Sequence, residues 1–416
     1  MTSTESVAEF AVEVTYDGLP EGVREGAKRR LLDVIAVGLQ NRDDATVAAI
    51  RDGIALDGGD ENRSRVWGSP SSAAASRAAM GNAAAVAAGN GPVFPSPTPA
   101  PTGGSIAAAL AVSEDRGKTG EKTLAAIAAA LEVRGELAWH APLDELHPAT
   151  HTAVAAAAGA GQVAGLDESE LTSALGTAAS RVTLGVGDEA FTSVATGNAA
   201  AAGVDACLLA EGGVSAPDGL TAPNGWHDLV GPFDLDFDPG CERVRDAAVL
   251  PYDGHLYGQP AIEAAIDLAS EIALDPADIE SVAVETVDRA VPEIDAERIA
   301  AALVDRALSV HQGDRADLQP IVEATSISAA DDALERTDPE SIPTRVAVET
   351  YDGDAYETTS DRFEGHPTTP ASWGVLEEKF HALARGCYDR ARREEIIETV
   401  RSFEAESPAE LARLLD

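Results

Sequence analysis

The chain has 416 residues, with 71 acidic side chains against 30 basic ones and a formal net charge of −41. Charge of that sign repels nucleic acid and anionic membranes, so neither is expected as a partner. The only lysines are Lys28, Lys118, Lys122 and Lys379, and an acidic, lysine-poor shell around a folded core points to a halophilic cytoplasmic protein.

The length suggests about two or three domains. Apolar residues make up 44% of the chain but aromatics only 4%, so alanine supplies much of the core and helix packed closely on helix is expected. Cys207, Cys241 and Cys387 form no CxxC or zinc pattern, which suits a reducing cytosol. Met1 to Phe10 lack the basic and apolar regions of a signal peptide. No stretch reads as long and uncharged enough to span a bilayer.

In chain order, Val23, Ala27, Leu31, Val34 and Ile35 recur at helical spacing after Pro20, with Gly38 as the expected stop. Residues 71–89, 104–115 and 119–138 read as alanine-rich helices. Between the first two, the prolines from Pro92 to Pro101 predict an extended loop. Asp167 with Glu170 forms a capping box opening a helix to about Ser180, and another helix is expected over 194–211.

Beyond about residue 243 the pattern changes. A helix over Gln259–Leu274 precedes a strand over Ser281–Val287, and two alternating runs, 345–351 and 354–360, flank Asp352-Gly353, a strong hairpin signal. Helices return at 371–385 and 389–404.

His140, His147 and His151 cluster with Asp144 and Glu145. If His147 and His151 share a helical face, their spacing suits a metal only with a third ligand; the competing reading is a helix N-terminus with no ligand. The segment Leu250–Tyr257 sits where a strand-like run gives way to the helix from Gln259. There His255 can act as acid or base with Tyr252 or Asp253 beside it, or stand as an exposed histidine in a turn. Gly159-Ala-Gly161 lies within a helical pattern, so close packing explains it better than a dinucleotide loop.

Taken in order, several segments resemble the MmgE/PrpD family. They are Leu19-Pro20 through Leu32-Asp33; His147-Pro148 before an alanine-rich helix ending Gly165-Leu166; Gly197 to Ala200; and His255 before Pro260 to Glu263. Gly365-His-Pro-Thr-Thr-Pro370 and Glu377 to Phe380 complete the set. The resemblance implies a mostly α fold, with a large all-helical domain over 1–243 completed by 381–416 and a smaller α+β lid domain over 244–380. It implies a homodimer without metal or other cofactor, acting on a small carboxylate such as a 2-methylcitrate-like substrate by acid–base proton transfer. The family's site lies between its domains, with His147 and His255 on opposite walls.

Other family positions are replaced. Counting back from Glu114 sets Asn90 at a family acid, Phe94 at a threonine and Ala100 at a histidine. Counting back from Gly197 sets Thr192 at a family lysine, and from His255, Leu250 at another. A carboxylate still needs positive charge, which Arg181 or Arg134 could supply. The expectation is a lyase or isomerase with His147 and His255 catalytic and Asn90, Thr192, Tyr252 and Arg181 binding substrate. The alternative is a noncatalytic relative serving as a binding or partner subunit; a metal-dependent hydrolase using His147 and His151 ranks third.

Overall fold

The computed structural model describes residues 3–55, 64–143, 146–185, 189–272, 274–306, 315–330 and 341–416. The chain divides into two units, one of Met1–Phe94, Thr98–Ala247 and Leu383–Asp416, the other of Pro95–Pro97 and Ala248–Ala382.

In the first unit the alanine-rich stretches fold as helices because alanine loses no side-chain entropy and lets neighbours approach. They are α1 (Ser3–Glu13), α2 (Glu21–Gln40), α3 (Ala45–Ala55), a two-stranded ribbon of β1 (Ser64–Arg65) and β2 (Ser72–Ala73), and α4 (Ala75–Ala87). A second ribbon, β3 (Val93–Phe94) with β4 (Ala100–Pro101), leads into α5 (Gly103–Asp115), α6 (Gly120–His140), α7 (Ala149–Ala164), α8 (Glu168–Ala179) and α9 (Glu189–Glu211). The short helices α10 (Trp226–Val230) and α11 (Arg243–Asp246) follow.

Helix α7 is buried from Ala149 to Val163 and packs among α5, α6, α8 and α9. A Cβ on Gly159 would stand 2.9 Å from the Ala126 carbonyl oxygen, so the glycine is what lets α7 and α6 touch backbone to backbone. The Asp167 capping box opens α8 as expected.

Several expectations are corrected. Gly38 does not end α2, which runs on to Gln40; a Cβ there would stand 2.8 Å from the Trp67 ring, so the glycine serves packing. Residues 72–73 are strand, not helix, because they pair with 64–65. The proline-rich stretch is pinched into a ribbon, with Phe94 opposite Ala100. The segment Phe191–Glu211 of α9 is long and apolar enough to cross a membrane, against the expectation that no stretch is. About two thirds of it is buried, and its packing on α4, α7 and α8 explains the composition.

The second unit is α+β. Helix α12 (Gln259–Glu271) precedes β5 (Ile279–Thr286), α13 (Ala296–Asp305), α14 (Gln319–Ala324), β6 (Thr325–Ala329), β7 (Thr344–Thr350), β8 (Ala355–Ser360) and α15 (Trp373–Leu383). The sheet runs β6-β5-β7-β8, parallel between β5 and β6 and antiparallel elsewhere. Val282 and Val284 of β5 and Val346 and Val348 of β7 share one core with Ile262 and Leu268 of α12 and Ile299 and Leu303 of α13. The Asp352-Gly353 hairpin forms as expected, joining Glu349 to Ala355.

No strand leads into Tyr252, against expectation. Residues 249–251 are irregular, and the Val249 N–H donates to the Gly365 carbonyl at 2.9 Å. The last helices, α16 (Arg390–Arg401) and α17 (Pro408–Leu414), belong to the helical unit. There Lys28, almost wholly buried on α2, donates to the Arg401 carbonyl at 2.9 Å and pairs with Glu404 at 3.1 Å.

Candidate functional site

The sequence-predicted residues fall into two groups, one in each unit. In the helical unit His147 stands just outside α7, whose N-cap is Pro148. It therefore shares no helical face with His151, which corrects the metal geometry expected of that pair. The His147 main-chain N–H donates to the Thr183 carbonyl at 3.0 Å, and its Nδ1 accepts the Ala149 N–H at 3.1 Å. With Nδ1 accepting, the neutral ring carries its proton on Nε2, which points to Thr192 Oγ1 at 3.3 Å. Burial lowers the His147 pKa, so the ring stays neutral at physiological pH. Phe191 lies edge-on to it, 6.1 Å between centroids.

His151 is buried, and both its nitrogens are engaged: Nε2 with the Ala141 carbonyl at 2.9 Å, Nδ1 with Arg134 Nη1 at 3.1 Å. Burial first, then the Arg134 charge, holds its pKa well below the ordinary imidazole value. The folded-state value is thus depressed. Stability from the neutral ring is complete above about pH 6.5 and is lost as pH falls toward the native value. Accordingly, the unfolding free energy of His151→Gln should fall less steeply than the parent's between pH 6.5 and 5. The difference, read by denaturant titration at each pH, should approach about 1.4 kcal/mol per pH unit.

Arg134, expected as a cation for a substrate carboxylate, is only 1% exposed and does not face solvent. Its Nε donates to the Pro101 carbonyl at 3.2 Å and its Nη2 to Pro148 at 3.5 Å. Arg181 is exposed in the turn whose Thr183 carbonyl holds His147. Asn90 is half-buried between α4 and the β3–β4 ribbon. Phe94 and Ala100 pack with Ala138 and Ala247 as an apolar cluster, so these two positions handle no protons. Asp144 and Glu145, which the sequence places beside His147, lie outside the described residues.

In the α+β unit Tyr252 and His255 belong to one braced turn. Gln259, fully buried at the start of α12, accepts the Tyr252 N–H at 3.0 Å and donates to the Tyr252 and Gly254 carbonyls at 3.0 and 2.9 Å. Gly254 has φ +153, where a Cβ would stand 3.1 Å from Ile262 Cδ1. Arg298 closes the turn from the side, ion-paired with Asp253 and donating to its carbonyl at 3.1 Å.

The Tyr252 hydroxyl donates to Glu263 Oε2 at 3.4 Å, and burial together with Glu263 raises its pKa. His255 Nδ1 accepts the Tyr257 N–H at 3.4 Å and stands 3.7 Å from Glu293 Oε2. Burial lowers the His255 pKa while the Glu293 carboxylate opposes that shift. Among the described residues Glu293 stands where its charge favours protonated His255, while burial is the cause that lowers the His147 pKa.

Gln259, Glu293 and the Arg134–His151 pair were not among the residues the sequence singles out for these roles. Gln259 directly before Pro260 at a helix start was the one local signal; Glu293 reaches His255 only through the tertiary fold. Among the described residues no group of three or more His, Cys, Asp or Glu side chains is arranged to hold a metal ion.

Against known families, the MmgE/PrpD N-terminal domain matches residues 5–234 and the MmgE/PrpD C-terminal domain residues 252–405. No curated protein matches the chain. The chain belongs to the MmgE/PrpD family, which includes dehydratase-type enzymes.

Proposed function

We propose that this member of the MmgE/PrpD family is a lyase or isomerase that moves a proton on a small carboxylate of the 2-methylcitrate type, with His255 as the group that changes charge. The observation that carries this reading is the His255 ring, Nδ1 beside Glu293, in a turn braced by the buried Gln259. A carboxylate at Nδ1 offsets the cost of protonating a half-buried imidazole: when the long Tyr257 N–H contact gives way to an Nδ1–H facing Glu293, Nε2 is the nitrogen that exchanges a proton with a bound molecule.

His147 has a different role. Its Nε2–H, with Thr192 beside it, is a neutral hydrogen-bond donor suited to the negative charge that develops next to a carboxylate when a proton leaves. Arg181, Asn90 and Tyr252 are the remaining substrate-binding candidates, with Arg181 the exposed cation among them. The reading includes a cytoplasmic homodimer that needs no cofactor.

A second reading, a noncatalytic partner subunit, is favoured by one observation: Phe94 and Ala100 fill with hydrocarbon the positions where the family resemblance sets a threonine and a histidine. Proton NMR of the purified protein in concentrated potassium chloride separates the two. Incubated with citrate, 2-methylcitrate, cis-aconitate or short hydroxy acids, an enzyme is expected to convert at least one of them or exchange its α-proton with deuterated solvent. Absence of both conversion and exchange would favour the partner subunit.

A further inference from the structure

We propose that Arg134 and His151 form a positioning pair that sets the placement of the His147 ring. The inference rests on His147 being the hydrogen-bond donor of the reading above.

The pair holds the backbone at three points. His151 Nε2 holds the Ala141 carbonyl at 2.9 Å and Arg134 Nη2 holds the Pro148 carbonyl at 3.5 Å. Ala141 and Pro148 are the two ends of the segment that carries His147, so both ends are tied to one buried pair. Arg134 Nε adds Pro101 on β4 at 3.2 Å, which joins that segment to the ribbon containing the replaced family positions Phe94 and Ala100.

The hydrogen-bond roles close on a single assignment. Nε2–H of His151 donates to the Ala141 carbonyl, which leaves Nδ1 as the acceptor for Arg134 Nη1 at 3.1 Å. The histidine is then neutral and the arginine carries the charge, in keeping with the strongly lowered His151 pKa. A fully buried guanidinium is costly to maintain. Burial pushes Arg134 down to about 9. What it supplies is the fork of donors that no apolar side chain and no ammonium can reproduce, reaching three acceptors in different directions. Arg134 does not touch His147; it acts through Pro148, the residue next to it in the chain.

The test compares Arg134→Met, Arg134→Lys and His151→Gln in the full chain. The readout is the pH titration of the His147 ring by imidazole proton–nitrogen correlation, assigned through its loss in His147→Gln. Release of the segment wets the ring, so the His147 pKa in Arg134→Met is expected to rise toward the free value. Its kcat should drop by roughly 10²-fold with KM little changed, as for a misplaced but intact group. Arg134→Lys, which keeps the charge but not the fork, should show the same change in smaller degree.

An unshifted His147 titration with parental kcat in Arg134→Met overturns the proposal. If that variant does not fold, unshifted titrations in both Arg134→Lys and His151→Gln overturn it equally. A parent protein that turns over no substrate would sink the enzymatic reading, yet the ring titration would still decide the positioning.

Discussion

On the proposed proton transfer, replacement of His255 by alanine is expected to lower kcat by roughly 10²–10⁴-fold, the range for losing a positioned acid–base group. The fold should survive, because His255 lies in a surface turn and is half-exposed, while the turn is held by Gln259 and Arg298. His147→Ala should cost about 10²–10³-fold, as for losing one donor to developing charge, and His147→Gln should recover part of that because an amide N–H can donate where alanine cannot.

The pH profile separates the two rings. The Glu293 carboxylate favours protonated His255, so Glu293→Gln should move the His255-dependent limb of kcat/KM to lower pH. The same variant should leave the His147 titration where it was, since desolvation alone lowers that group. A limb that moves to higher pH, or not at all, would remove Glu293 from the mechanism.

Gly365→Ala is expected to destabilise the α+β unit by about 4 kcal/mol or more, at the extreme for single substitutions. Gly365 has φ +114, a region few side chains enter, and a Cβ would lie 2.1 Å from the Val249 carbonyl oxygen. Backbone on backbone offers no rotamer to escape into, so either Val249 or the loop must move. The loop is fixed by Gly365 N–H donating to Thr369 at 2.7 Å and its carbonyl accepting from Val249 at 2.9 Å. Denaturant unfolding should show the loss, and since Val249 leads directly to Tyr252 and His255, activity should fall with it. Unfolding unchanged by the substitution would mean that the close approach is not required.

What could be read from residues alone follows from how local each cause is. The Asp167 capping box, the Asp352-Gly353 hairpin and the alternation of β5 and β7 are decided within a few residues, and all three appear in the structure. Gly38 misled because a glycine that admits the Trp67 ring looks, in sequence, like one that ends a helix. The proline-rich ribbon was hidden for a similar reason: pairing of Phe94 with Ala100 depends on a register that the intervening prolines do not announce. For the site, histidines are rare enough to be conspicuous, so His147 and His255 stood out. Their surroundings did not, because each ring meets a partner distant in the chain: Thr192 for one, Glu293 for the other. Arg134 was visible as a charge in a helix, but only the fold shows it buried against the Pro101 and Pro148 carbonyls and His151.

The placement of the lysines has a practical outcome for anyone handling the protein. Lys28 and Lys379 are each only 4% exposed, which leaves Lys118 and Lys122 as the side-chain amines open to reagents. Both sit where α5 turns into α6. A dye, a cross-linker or a sensor surface carrying an activated ester would therefore meet its accessible lysine amines at that one corner of the helical unit.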